Sequence, residues 1–157
     1  MGILKKITKN IDALSWKGNF PVHYLYTVGD AGEKFFKNLK EKGIFTGAEC
    51  PACGKVYLPP RIYCEECFEE IKKFPKLPLT GKIETFAIIK EDIDGKPFNE
   101  RRAVAFVRID GSCGGVFGFI LNKNPDEIKI GMKVKARLKP IRNRQGLMND
   151  IEGFKLI

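Results

Sequence analysis

Two Cys-x-x-Cys turns, Cys50-Pro51-Ala52-Cys53 and Cys64-Glu65-Glu66-Cys67, stand ten residues apart in this chain, and no other feature narrows its possible folds as far. Each such turn aims two thiolates at one point, and two opposed turns complete a tetrahedron with metal–sulfur distances of about 2.3 Å. Gly54, directly after the first turn, permits the tight backbone that lets main-chain amides reach a cysteine sulfur. Four thiolates leave no open coordination position, so the expected metal is structural zinc held by Cys50, Cys53, Cys64 and Cys67. Iron in a rubredoxin-like site is the rival, because the same ligands accept it. A disulfide pair does not suit a chain that opens without a secretion signal. A redox Cys-x-x-Cys stands alone on a βαβ unit, and none is visible here.

The segments on either side differ in kind. Upstream, Ile3, Leu4, Ile7, Ile11 and Leu14 recur at helical spacing, which predicts an amphipathic helix over residues 3–14. A punctuated aromatic stretch follows from Trp16 to Tyr26. A second helix is expected to open with Asp30 as N-cap and Glu33 three residues on, to bury Phe35, Phe36 and Leu39, and to stop at Gly43. Downstream of about Leu79 the pattern changes to period two. Val134, Ala136 and Leu138 alternate with Lys133, Lys135, Arg137 and Lys139. Runs at 81–90, 102–110, 114–121, 132–141 and 151–157 read as five strands separated by Gly-, Asp- and Asn-rich turns. The expected fold is therefore mainly β. An N-terminal helical arm (1–46) leads to a rubredoxin-like zinc ribbon (47–75), and a five-stranded OB-fold barrel (76–157) follows.

The net charge is +9, and eight basic residues between Lys123 and Arg144 face only Asp126 and Glu127. A basic surface of this kind suits a phosphate-bearing or acidic partner, or a solvated face. No apolar run reaches the roughly 20 residues of a membrane span, and the start of the chain is a poor signal peptide, so a cytoplasmic protein is expected. Catalytic candidates are poor. His23 is the only histidine and has no nucleophile near it in sequence. Cys113 sits alone in a Gly-rich turn, and Arg61 between the knuckles either faces a ligand phosphate or pairs with a nearby carboxylate, the second being the expectation for an isolated arginine. Phe86, Phe106, Phe117 and Phe119 lie in apolar runs and read as core.

Several segments together resemble a known family: AGEKFFKNLKEKGIFTGAECPACGKVYLPPRIYCEECF, then TGKIETFAII, AVAFVRIDG and PDEIKIGMKVKARL. The family is the acyl-CoA-associated one, formerly a domain of unknown function, that joins a helical arm, a rubredoxin-like zinc ribbon and an OB-fold. One departure is Phe68, which stands where many zinc knuckles place glycine and leaves the geometry of the second turn open, though not its ligands. The resemblance implies a non-catalytic subunit in a hetero-oligomer. In archaea it would join acetoacetyl-CoA thiolase to hydroxymethylglutaryl-CoA synthase at the start of the mevalonate route. On this reading Trp16, Phe20, Tyr24 and Tyr26 are partner contacts. Lys133, Lys135, Arg137, Arg142 and Arg144 would meet coenzyme A phosphates or an acidic partner surface. The alternative is a single-stranded nucleic-acid-binding protein, since zinc ribbons and OB-folds both serve that function.

Overall fold

The alternation of Val134 and Ala136 with lysines and arginine becomes a strand whose apolar side is buried and whose basic side faces solvent. This and four other strands form a closed barrel in the computed structural model, which describes residues 24–91, 95–121 and 124–157. The helix expected over 3–14, with Trp16, Phe20 and His23, lies outside the described residues.

The described chain runs from α1 (Gly29–Lys42) through β1 (Phe45–Thr46), β2 (Ala48–Glu49), β3 (Val56–Tyr57) and β4 (Lys76–Leu77). The barrel strands are β5 (Thr80–Glu91), β6 (Pro97–Ile109), β7 (Gly115–Ile120), β8 (Lys133–Leu138) and β9 (Ile151–Leu156), in the order β5-β6-β7-β9-β8. All neighbours are antiparallel except β7 and β9, which meet in parallel at Ile120 and Phe154. Closure removes the unpaired edges that would otherwise invite association. Ile83, Ala105, Val107, Val134 and Phe154 fill the interior.

α1 starts one residue before the expected cap. Asp30 lies inside its first turn, and no capping box forms with Glu33: Val28 occupies the N-cap without a side-chain bond. The hydroxyl of Thr27 accepts from the Gly29 N–H at 3.1 Å instead. Asp30 still favours the helix start through its charge. The stop is as expected, with Gly43 left-handed at φ 64° and its N–H bonded to the Leu39 carbonyl. Phe35 and Leu39 pack into the same apolar cluster as the barrel, with Phe35 stacked on Phe45 at 6.1 Å. Each such buried side chain contributes about 1.5–3 kcal/mol, so the helix is anchored on the barrel core.

Between helix and barrel lies the ribbon, where β1 pairs with β4 and β2 with β3. A small separate cluster of Ala48, Cys50, Tyr57, Cys64 and Ile71 sits beneath it. The turn before β7 presses on this ribbon. The Cys113 N–H donates to the Val56 carbonyl at 2.8 Å, and a Cβ on Gly114 would fall 1.9 Å from the Leu58 carbonyl oxygen. Only glycine permits that approach. Among the described residues, no helix is long and apolar enough to cross a membrane.

Candidate metal centre and the groove beside it

The two knuckles are built alike. Gly54 N–H donates to the Cys50 carbonyl at 3.0 Å, and Phe68 N–H donates to the Cys64 carbonyl at 3.1 Å. Both residues must then turn left-handed to let the chain leave, Gly54 at φ 70° and Phe68 at φ 57°. Phe68 thus takes the glycine conformation with an aromatic side chain, at a cost of roughly 1–2 kcal/mol. The second turn that the sequence left open copies the first and carries strain.

All four cysteine sulfurs lie within 4.8 Å of one another. Cys50 and Cys67 approach to 3.3 Å, and Cys53 and Cys64 to 3.7 Å. A tetrahedral ion at about 2.3 Å from each sulfur requires separations of roughly 3.8 Å. The residues present therefore fit structural zinc, and four thiolate ligands close the site. Cys50 and Cys64 are buried, while Cys53 and Cys67 are exposed.

The four thiols differ in acidity. Cys64 is lowered to about 6, first by a hydrogen bond from the Tyr57 hydroxyl and then by the Cys67 backbone. Cys67 is pushed up to about 12, first by the hydrogen bond it shares with Cys50 and then by another to Cys64. Cys64 and Cys67 are thus driven in opposite directions, and a divalent cation would take the place of thiol protons. Nothing in the sequence pattern around Tyr57 points to this bond. No periodicity could have shown it, because the contact runs across the ribbon.

Arg61 pairs with Glu65, as expected of an isolated arginine. Cys113 is exposed, and its thiol bonds to the Val56 carbonyl at 3.1 Å. Lys133, Lys135 and Arg137 line the outer face of β8, where Arg137 pairs with Glu152 at 2.7 Å. Arg142 is exposed in the 3-10 turn Ile141–Asn143. Arg144 is half-buried, and its guanidinium donates to the Lys139 carbonyl at 2.7 Å and to the Lys40 carbonyl at 3.5 Å, binding the end of α1 to the barrel. Tyr24 and Tyr26 are exposed, with ring centroids 5.9 Å apart.

The phenylalanines require a correction. Phe86 and Phe106 are half-buried, whereas Phe117 is 67% and Phe119 39% exposed. In β7 they share the parity opposite to Val116 and Ile120, which are the residues that face inward. Parity within Val-Phe-Gly-Phe-Ile was the available signal. The run reads as continuous core only because both faces of the strand are apolar. The Phe106 and Phe117 rings meet with centroids 5.0 Å apart and planes tilted by 55°. They form one wall of a groove of about 510 Å³, with Val28 and Phe36 from the helix side and Pro59 and Pro60 from the ribbon. Farther along the barrel, the Arg102 guanidinium lies over the Phe98 and Phe119 rings at 4.8 and 5.8 Å.

Comparison with known proteins agrees with both halves. A family model described as "ChsH2, rubredoxin-like zinc ribbon domain" matches residues 38–71, and "ChsH2, C-terminal OB-fold domain" matches 75–139. A DUF35 domain-containing scaffold protein from Methanocaldococcus jannaschii is 30% identical over 113 residues, covering 68% of this chain and 76% of the relative. One from Methanothermobacter thermautotrophicus is 29% identical over 112 residues, covering 68% and 80%. Among solved structures, a DUF35 protein of unknown function from Sulfolobus solfataricus superposes with a TM-score of 0.62 at 25% identity, covering 82% of this chain and 84% of that one. A structure titled Ltp2-ChsH2(DUF35) aldolase shares the fold with a TM-score of 0.60 at 16% identity, covering 84% and 97%.

Proposed function

This chain belongs to the ChsH2-type zinc-ribbon and OB-fold family, the DUF35 scaffold proteins, and from that premise we propose that it is a non-catalytic scaffold subunit of a cytoplasmic acyl-CoA-processing complex. Its partners on this reading are acetoacetyl-CoA thiolase and hydroxymethylglutaryl-CoA synthase, held together so that the intermediate passes between them. The observation that carries the proposal is the apolar groove walled by helix, ribbon and barrel together. A surface assembled from all three elements suits a partner that must be held in one orientation, and aromatic side chains dominate such contacts. The exposed Tyr24 and Tyr26 are further proposed partner contacts, as are Trp16 and Phe20, which lie outside the described residues. Lys133, Lys135, Arg137, Arg142 and Arg144 are the proposed contacts to coenzyme A phosphates or acidic partner residues. Zinc, enclosed by four thiolates, holds the ribbon's wall of the groove in place and leaves no position for a substrate.

The test is copurification of the full chain from its native source, beside Phe117→Glu and a variant lacking residues 1–28. Recovery of a thiolase and a synthase with the wild type, and loss of either with the variants, supports the scaffold. A wild-type chain recovered as a lone monomer would sink it.

A second reading rests on Phe117, Phe119 and Arg102. Aromatic and basic side chains on the outer barrel strands are what an OB-fold uses to stack single-stranded bases. Titration with single-stranded RNA separates the two readings. A nucleic-acid binder loses affinity steeply with salt, whereas a protein scaffold binds no RNA at physiological salt.

A further inference from the structure

Tyr57 lies on β3, between the two knuckles, and is buried with its hydroxyl 3.1 Å from the Cys64 sulfur. A buried hydroxyl needs a hydrogen-bond partner. A metal-bound thiolate carries no proton, so in that bond the hydroxyl must be the donor. We propose that Tyr57 is a positioning residue for the metal: its hydroxyl donates to the Cys64 thiolate, fixes the second knuckle and retains the ion.

Three features support this role. The Tyr57 backbone is fixed by its pairing with Ala48, and the Arg61 guanidinium lies over its ring, 4.9 Å from the centroid. Its donor position is therefore set by the ribbon before metal arrives. Main-chain donors also serve the sulfurs, the Glu66 N–H reaching Cys64 and the Cys53 N–H reaching Cys50, each at 3.5 Å. The Tyr57 oxygen, at 3.1 Å, approaches the Cys64 sulfur more closely than the Glu66 amide does. Finally, the knuckle it reaches is the one whose turn is made by Phe68 at positive φ. Charge matters as well. Four thiolates around a divalent ion leave two negative charges in one small volume, and a donated hydrogen bond withdraws part of that density.

Tyr57→Phe removes the hydroxyl and keeps the ring. In the full chain, zinc affinity measured by chelator competition near neutral pH should fall by roughly 10- to 100-fold. With cobalt(II) as the probe, the sulfur-to-metal charge-transfer bands should shift, which loss of packing alone would not produce while the ligand field stays tetrahedral. Affinity within about twofold of wild type, with unshifted bands, would overturn the proposal. If Tyr57→Phe does not fold, the wild-type protein loaded with spin-active cadmium gives the same decision by NMR. A slowly exchanging Tyr57 hydroxyl proton coupled to cadmium is expected. A hydroxyl that exchanges like that of the exposed Tyr24 would rule the bond out.

Discussion

Asp150→Asn tests how the barrel's last connection is held. The carboxylate is fully buried and accepts N–H bonds from Gln145 at 2.9 Å, Gly146 at 2.7 Å and Leu147 at 3.3 Å. Burial pushes its pKa up, but the backbone donors, helped by Lys139, outweigh burial and hold it below the ordinary carboxylate range. Asparagine offers one acceptor oxygen to the same three donors and turns N–H groups of its own toward them. At least one main-chain donor loses its partner, and the others lose the charge that strengthened them. Bonds to a charged group contribute about 1.5–3 kcal/mol each and a stranded donor costs about 1–3. After allowance for the easier burial of a neutral amide, the net loss should be about 2–4 kcal/mol. For a chain of this size that corresponds to a Tm lower by roughly 4–16 °C. Urea unfolding of the zinc-loaded protein near neutral pH measures the difference. The acid arm has a definite sign. Because the folded pKa is depressed, the wild-type advantage is present above the unfolded carboxylate value of about 3.9 and is lost as pH falls through the lower folded value. The curves of wild type and variant should therefore converge in acid. Equal midpoints at neutral pH, or a gap that persists unchanged in acid, would refute the reasoning.

Metal analysis should find one zinc per chain. Cys64→Ser should release it and disorder the cluster around Ala48, Tyr57 and Ile71 while far-UV circular dichroism retains the barrel's strand signal, since the barrel has its own core. Gly114→Ala forces a methyl group onto the Leu58 carbonyl and should cost about 1–3 kcal/mol by denaturant titration. Phe68→Gly relieves the left-handed strain and should raise stability by up to about 1 kcal/mol, with zinc content unchanged.

The ligand set was legible because each knuckle is a local motif and thiolate chemistry admits few alternatives. β8 was legible because Val134 and Ala136 face the core and their charged neighbours face water. β7 was misread because Phe117 and Phe119 are as apolar as the residues behind them, so polarity could not separate the two faces. Asp30 looked like a cap because it precedes an apolar stripe, yet the chain enters α1 through Thr27 and Gly29. Arg144 belonged to a basic run by sequence, and only the packing of α1 assigns its guanidinium to the Lys40 carbonyl. The Tyr57–Cys64 contact and the groove both depend on elements brought together by the fold, and local pattern carries no information about either.

The hydrogen bond between Cys113 and Val56 joins a barrel amide to a ribbon carbonyl. That amide will exchange with solvent deuterium only when the two bodies part, whatever the state of the strands on either side of it. Its exchange rate consequently clocks the opening of the junction, while amides within β5 and β6 clock the barrel itself. A chain that loses its metal should lose protection at Cys113 first, and a bound partner that grips both bodies should slow exchange there without touching that residue.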